Sequence, residues 1–207
     1  MPAMTIPVRK KHLARTLQSI GAHPKPLAYL EQYTIPADLA AEILFYACYM
    51  YQDIERKFVL DMGTGTGRLA IGASMLGAQY VIGVDIDRPA IEVASESSRQ
   101  FSLEIDWVLG DIRSLRGRVD TVLMNPPFGT KRPHADVDFL QAALDLSRVV
   151  YSIHKTSTRQ FLQGWLHRHH AAGTVLMSTE LEIKHQFSFH TKKKQYVAVD
   201  VFRIKPR

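Results

Sequence analysis

The chain has 207 residues, of which 46% are hydrophobic and 22% charged, a composition typical of a soluble globular protein with one α/β domain. No run of about 18 apolar residues is present, so the sequence predicts no membrane span. The basic N-terminus also lacks the apolar stretch of a signal peptide. Its single cysteine, Cys48, excludes an internal disulfide and a cysteine-based zinc site. We therefore expect a cytoplasmic protein without a metal site.

The net charge of +6 is unevenly distributed along the chain. No acidic residue precedes Glu31, whereas basic residues are frequent there, and a second basic cluster consists of Lys192, Lys193 and Lys194. Such a cluster is either a solvated surface or a contact for the phosphates of a polyanion. Two clusters that flank one domain favour a nucleic acid as the partner.

Helices and strands alternate in the predicted structure after an N-terminal helical extension. Residues 7–20 have the spacing of a basic amphipathic helix, the proline-rich stretch that follows predicts an irregular connection, and Pro36 fits the first turn of an apolar helix reaching about Met50. Strands are then predicted at 57–61, 80–85, 104–111, 119–125 and 148–154, and helices at 68–77, 88–101, 139–147 and 159–170. Two final β-like stretches, 173–183 and 195–204, have no helix between them.

The first five predicted strands are continuous apolar runs, which indicate a parallel sheet covered by helices on both faces. The last two predict an antiparallel hairpin at the end of that sheet. The expected fold class is α/β and Rossmann-like, with a seven-stranded, mostly parallel sheet. We expect a single domain over 1–207, with an N-terminal helical segment at 1–52 and a Rossmann-like core at 53–207.

The glycine loop, residues 61–67, joins the first core strand to the next helix. Its glycines permit positive φ and a close approach of the backbone to a ligand. A dinucleotide fingerprint requires glycine or alanine three residues after Gly65, where this chain has Arg68. The spacing, with Asp61 ahead of it, fits S-adenosylmethionine-dependent methyltransferases. Acidic residues at the next two strand ends could bind the ribose and the adenine amine. The predicted cofactor contacts are Asp61, Gly63, Thr64, Gly65, Gly67, Asp85, Ile86, Asp111, Ile112 and Asn125.

The most specific motif is the Asn-Pro-Pro-Phe turn, Asn125, Pro126, Pro127 and Phe128, at the end of the fourth strand. Its prolines fix φ and remove two donors, so the turn presents carbonyl groups. The nitrogen of an amide or an exocyclic amine is a poor nucleophile because its lone pair is delocalised. Hydrogen bonds from such an NH₂ group to the Asn125 side chain and the Pro126 carbonyl would localise the lone pair and orient it. Phe128 would stack on the planar target.

These motifs, together with the stretches at 30–36, 81–87, 121–131, 150–159 and 189–204, resemble the methyltransferase-like protein 5 family over nearly the whole chain. That family installs N6-methyladenosine on small-subunit ribosomal RNA. The resemblance implies that the Asn-Pro-Pro-Phe turn is catalytic and that the N-terminal segment, with Gln32 and Thr34, closes over the cofactor. It implies RNA contacts from Lys131, His154, Lys155, Arg159, Lys192, Lys193 and Lys194. As in eukaryotic members, it also suggests a small zinc-binding activator subunit.

Three alternatives share these observations. The same turn serves guanine-N2 and protein glutamine-N5 methyltransferases, and the motif alone does not separate their targets. The basic clusters favour nucleic acid over protein, and the resemblance favours adenine over guanine. A non-catalytic RNA-binding or assembly protein could keep the fold, but it would not need the glycine loop and the Asn-Pro-Pro-Phe turn together. The expected function is N6-adenosine methylation of RNA, with small-subunit ribosomal RNA as the expected substrate.

Overall fold

The computed structural model describes residues 8–26, 33–128, 135–184 and 194–206. The helices in these ranges are α1 Lys10–Ser19, α2 Ala37–Phe45, α3 Arg68–Met75, α4 Arg88–Gln100, α5 Ala135–Leu146 and α6 Arg159–Arg168. The strands are β1 Phe58–Met62, β2 Tyr80–Asp85, β3 Asp106–Leu109, β4 Val119–Met124, β5 Ser147–Lys155, β6 Ala171–Lys184 and β7 Lys194–Pro206. None of the described helices is long and apolar enough to cross a membrane.

The strands form one seven-stranded sheet in the order β3-β2-β1-β4-β5-β7-β6. Strands β1 to β5 are parallel, whereas β7 runs antiparallel to both β5 and β6. The predicted fold class, with its antiparallel terminal hairpin, is therefore confirmed. The chain moves outward from β1 through β2 to β3 and then returns to β4 on the other side of β1. This reversal opens a crevice at the carboxyl ends of β1 and β4, where open α/β sheets bind ligands.

Apolar side chains cover both faces of the sheet. One cluster joins α1, α2 and α3 to the strands and includes the fully buried Leu13, Leu17 and Leu44. The second joins α5 and α6 to the opposite face and includes Leu140 and Phe202. Helices α1 and α2 thus share a core with the strands. The division between residues 52 and 53 stays a prediction.

The predicted helix before β1 reaches Met50 as expected but differs at its start and in the type of its last turn. Pro36 is the N-cap of α2 and lies outside its first turn. The regular α-helix ends at Phe45 and continues as a π-helical turn over Tyr46–Met50, in which the Tyr51 amide donates to the Tyr46 carbonyl at 3.2 Å. A wider turn of this kind accommodates one extra residue without ending the helix.

Candidate active site

A cavity of about 200 Å³ lies at the carboxyl ends of β1, β2 and β4. The predicted cofactor residues that line it are Thr34, Asp61, Gly63, Thr64, Gly65, Asp85, Ile86, Asp111, Ile112 and Asn125. One wall belongs to the covering segment, residues 33–36, which connects to α2. The structure therefore brings most of the predicted cofactor residues together around one space.

The glycine loop has the backbone conformation that its sequence requires. Gly63, Gly65 and Gly67 all have positive φ, at 68°, 54° and 86°. Gly67 is not among the residues that line the cavity, and its predicted cofactor contact stays a prediction. A side chain at Gly67 would approach Trp107 to 2.7 Å, so this glycine is needed for the close packing of Trp107 behind the loop.

The buried Asp61 side chain stabilises the conformation of the glycine loop through hydrogen bonds. Its side chain is only 1% exposed, and its Oδ2 accepts hydrogen bonds from the Thr64 hydroxyl at 2.6 Å and the Ala70 amide at 2.9 Å. Burial raises the pKa of Asp61 to about 7. Both donors belong to the loop and to α3, so the geometry gives Asp61 and Thr64 a role in fixing the loop beside the cavity.

Asp85, at the end of β2, connects that strand to the glycine loop. Its Oδ2 accepts from the Gly65 amide at 2.8 Å and its Oδ1 from the Asp87 amide at 2.9 Å. Burial raises the pKa of Asp85. Each carboxylate oxygen has a second lone pair, so both ribose hydroxyls of a cofactor could donate to this group.

Asp111, after β3, also has a partner within the protein. Its Oδ1 accepts from the Arg113 amide at 2.9 Å, and both oxygens bond the Arg113 guanidinium. Ile112 and Arg113 follow it around the cavity. Asp111 therefore orders this turn at the far wall, in addition to its predicted contact with the adenine amine.

His23 is a cavity residue that sequence reasoning missed. Its side chain is 5% exposed, and its Nε2 contacts Asp87 Oδ2. The Nδ1 atom accepts from the Lys25 amide at 3.1 Å, so Nε2 carries the hydrogen and donates to Asp87. The pair joins the chain after α1 to the residues after β2. No local pattern reveals it, because the two residues are 64 positions apart in sequence.

The Asn-Pro-Pro-Phe turn presents one unpaired acceptor at the cavity. The Nδ2 of Asn125 donates to the Tyr33 carbonyl at 3.0 Å, which fixes the orientation of the side-chain amide. Its Oδ1 is buried and has no hydrogen-bond partner within the described part of the chain. The turn therefore contains a fixed neutral oxygen that can accept a hydrogen bond from a ligand.

The last residue of the turn is Phe128, three residues after Asn125. Its ring, which we call the stacking platform, is covered by two groups. The Tyr33 ring stacks on it with centroids 6.3 Å apart and planes 23° from parallel. The Lys155 Nζ lies 5.7 Å from the centroid of the same ring. An aromatic face beside a cation is suited to a nucleobase. Tyr33 is a second residue that sequence reasoning did not assign to the site.

Comparisons with known proteins also indicate a methyltransferase. A family model described as ribosomal protein L11 methyltransferase (PrmA) matches residues 46–125. The chain is 36% identical, over 95% of its length and 96% of the relative's, to the rRNA N(6)-adenosine-methyltransferase of Drosophila melanogaster. For the enzyme of that name from Danio rerio, the identity is 35% over 96% of this chain and 100% of the relative. The chain belongs to the rRNA N6-adenosine methyltransferase family.

An archaeal relative and a solved structure extend the comparison. An uncharacterized protein of Methanocaldococcus jannaschii is 39% identical over 95% of this chain and 94% of its own. The crystal structure of a proposed RNA methyltransferase from Pyrococcus horikoshii has 41% identity and a TM-score of 0.88, covering 97% of this chain and 99% of that one. The resemblance to the methyltransferase-like protein 5 family is thus confirmed, and with it an N-methyltransferase that uses S-adenosylmethionine.

The polar atoms of the cavity fit this cofactor. Among the described residues, the buried side-chain atoms without a hydrogen-bond partner are Thr66 Oγ1, Arg68 Nε and Asn125 Oδ1. All three residues line the cavity. Buried polar groups are rarely left unpaired, so their concentration here indicates a polar ligand. S-adenosylmethionine carries hydroxyl, ammonium and carboxylate groups that can pair with Thr66 Oγ1 and Arg68 Nε, which leaves Asn125 Oδ1 for a second ligand.

Two residues predicted to contact RNA have partners inside the protein instead. His154 is only 2% exposed because β5 is covered on both faces. Its Nε2 forms a hydrogen bond with the Ser152 hydroxyl at 2.7 Å. The Arg159 guanidinium pairs with the buried Asp200 at 2.6 Å, which neutralises its charge. Lys155 does reach the stacking platform.

The remaining predicted contacts fall on residues that the structure does not describe. Gln32, Lys131, Lys192 and Lys193 lie outside the described ranges, and only the backbone of Lys194 is described, as the first residue of β7. Their roles stay predictions. Thr34 is exposed and lines the cavity in the covering segment, which is compatible with its predicted contact.

Proposed function

We propose that the protein transfers the methyl group of S-adenosylmethionine to N6 of an adenosine in ribosomal RNA. The observation that carries the proposal is the buried, unpaired Oδ1 of Asn125 beside the cofactor cavity. An acceptor in this place selects a target that donates, as an exocyclic amine does. The relatives that act on adenosine in rRNA support adenine as the target.

The chemistry divides between the cofactor and the turn. S-adenosylmethionine would supply the methyl group by breaking its bond to the positively charged sulfur and would leave as S-adenosylhomocysteine, while the methylated amine releases one proton to solvent. Asn125 Oδ1 accepts one N–H of the adenine amine, and we expect the Pro126 carbonyl to accept the other. Both acceptors draw the amine out of conjugation with the ring and orient its lone pair. Because the Tyr33 carbonyl already holds the Asn125 amide, little reorganisation is needed when the base binds.

The stacking platform holds the base in that position. A base stacked on an aromatic ring gains about 1–3 kcal/mol, which helps to offset the unstacking that exposes its amine in a structured RNA. We assign Phe128 to this contact, with the Lys155 ammonium beside it. Tyr33 covers the same ring and would have to move aside, or receive the base against its own face, when the RNA binds.

We assign the RNA backbone to the basic clusters identified in the sequence. Lys131 and the lysines at 192–194 would contact phosphates, as would the basic α1, where Lys11 and Arg15 are exposed. We further propose a small zinc-binding activator subunit as a partner. Co-expression with such a subunit should raise the unfolding temperature; an unchanged temperature and no co-purification would remove it from the proposal.

The test is methyl transfer from labelled S-adenosylmethionine to ribosomal RNA from a strain that lacks this protein, followed by mass spectrometry of the nucleosides. We expect N6-methyladenosine. N2-Methylguanosine would keep the mechanism and overturn the target. No methyl transfer to RNA, together with transfer to a protein glutamine, would replace RNA by protein as the substrate. Silence on both, with the cofactor bound, would favour a non-catalytic RNA-binding protein.

A variant pair tests the residue roles. Asn125→Ala removes the unpaired acceptor, and loss of such a transition-state contact costs on the order of 10²–10³-fold in turnover. Its cofactor affinity should change by no more than about fivefold, since one neutral hydrogen bond is worth about 1 kcal/mol. Gln100→Ala, which removes an exposed amide at the end of α4, is the matched control. Turnover by Asn125→Ala at the control rate would contradict its role.

A further inference from the structure

Arg68 is the first residue of α3 and directly follows the glycine loop. Its side chain lines the cofactor cavity. Its Nη1 donates to the Ile35 carbonyl at 2.5 Å, so the guanidinium bridges α3 and the covering segment. Its buried Nε has no hydrogen-bond partner within the described part of the chain. One edge of a planar, five-donor group is therefore anchored while the Nε side has a donor to spare.

Arg68 also differs from other arginines of the described structure in its lack of a carboxylate partner. Two other partly buried arginines, Arg159 and Arg203, each pair with a carboxylate, at 2.6 Å and 2.8 Å. Among the described residues, Arg68 forms no such ion pair. Burial lowers its pKa, with no opposite charge to offset the desolvation. An unpaired, partly buried cation is costly, so an anionic group that enters the cavity would stabilise the arrangement.

We propose that Arg68 binds the α-carboxylate of the methionine portion of S-adenosylmethionine through the Nε edge of its guanidinium. This inference rests on the proposed cofactor site and deepens it. The carboxylate is the only anionic group of that cofactor, and a guanidinium matches it with two parallel hydrogen bonds. Arg68 thus selects ligands that carry the amino-acid portion, whereas Asp85 faces the part that they share with simpler nucleosides.

The bond to Ile35 gives the contact a second effect. The same guanidinium holds the covering segment through its Nη1 atom. A carboxylate on the Nε edge restrains the side chain in the rotamer that reaches Ile35. Binding of the amino-acid portion therefore stabilises the closed position of residues 33–36 over the cavity, next to the Asn125 amide that Tyr33 holds.

Calorimetry with two ligands tests the proposal. S-adenosylhomocysteine carries the carboxylate, whereas 5′-methylthioadenosine has the same adenosine and sulfur but lacks the amino-acid portion. We expect Arg68→Met to weaken S-adenosylhomocysteine binding by about 10- to 100-fold, the range for a charge-assisted bond. The affinity for 5′-methylthioadenosine should stay within about threefold. Arg68→Lys, which keeps the charge without the fork, should weaken binding less.

The control is Arg148→Met, since the Arg148 side chain is 85% exposed on β5. Equal weakening of both ligands by Arg68→Met and Arg68→Lys would show that the residue only shapes the loop, and unchanged binding of both would also overturn the proposal. If the methionine variant fails to fold, the lysine variant carries the same comparison. Wild-type protein that bound neither ligand would instead refute the cofactor site itself.

Discussion

The buried carboxylate of Asp61 makes a prediction about stability that needs no activity assay. Replacing it by asparagine keeps an oxygen for the Thr64 hydroxyl and the Ala70 amide, both of which bond one oxygen of Asp61. The substitution removes the titration of the group, and the NH₂ group that it introduces contributes equally at every pH. Any pH-dependent difference in stability between the two proteins therefore reports the protonation of Asp61.

The magnitude follows from the shift in pKa. Burial raises the pKa of Asp61 from 3.8 to about 7, so the folded protein holds this proton more tightly than the unfolded chain does. The resulting stabilisation is complete below the unfolded pKa and is lost as the pH rises through the folded pKa. At 1.36 kcal/mol per unit, the loss is roughly 4 kcal/mol. With the side chain only 1% exposed, solvent screening reduces it little.

Urea unfolding of the cofactor-free wild type and Asp61→Asn, at about pH 4 and about pH 8, measures this difference. We expect the stability of the asparagine variant relative to wild type to increase by roughly 4 kcal/mol between the two conditions. The exposed Glu104→Gln controls for the loss of one formal charge. A difference between variant and wild type that is the same at both pH values would refute a protonated Asp61 in the folded state.

Three further predictions concern packing and RNA. Gly83→Ala should lower stability by about 1–3 kcal/mol, because a methyl group there would lie 2.3 Å from the Trp107 ring; an unchanged unfolding temperature would mean that the ring moves freely. Replacing the three lysines at 192–194 by alanine should weaken RNA binding and flatten its salt dependence by about 0.7–0.9 for each phosphate that is no longer neutralised, and filter binding at several salt concentrations would show an unchanged slope if these lysines are only solvated. Tyr33→Leu should keep the carbonyl that holds the Asn125 amide but remove the ring over the stacking platform, so we expect cofactor affinity by calorimetry to hold while RNA affinity changes; an equal decrease in both affinities would assign the ring to cofactor binding.

The sheet could be predicted from local sequence because its signals are local. The parallel strands are mostly apolar runs, and helices such as α2 and α3 begin next to proline or glycine. The insertion of β7 between β5 and β6 could not be predicted in the same way. It depends on pairs such as Val150 with Ile204, which are distant in sequence, and a hairpin pattern alone is equally compatible with β6 at the inner position.

In the candidate site, too, features with a local sequence signal were predictable, whereas features that depend on tertiary contacts were not. The acids at strand ends and the Asn-Pro-Pro-Phe turn were predictable because parallel strands bring their carboxyl ends to one edge. The partners of charged residues were not, since the pairing of His23 with Asp87 and of Arg159 with Asp200 depends on tertiary contacts. His154 had a local signal that the resemblance outweighed: an apolar strand covered on both faces places its histidine inside.

The hydrogen bond between Asn125 and the Tyr33 carbonyl couples the orientation of the side-chain amide to the position of the covering segment. A side-chain amide can rotate, and rotation by half a turn would present an NH₂ group, a donor, to the amine of the base. While the covering segment is closed, the carbonyl favours the orientation with the oxygen available. An opening of the segment for product exchange would remove that preference. Each closure would then restore the orientation of the amide, which would link base binding thermodynamically to closure of the segment.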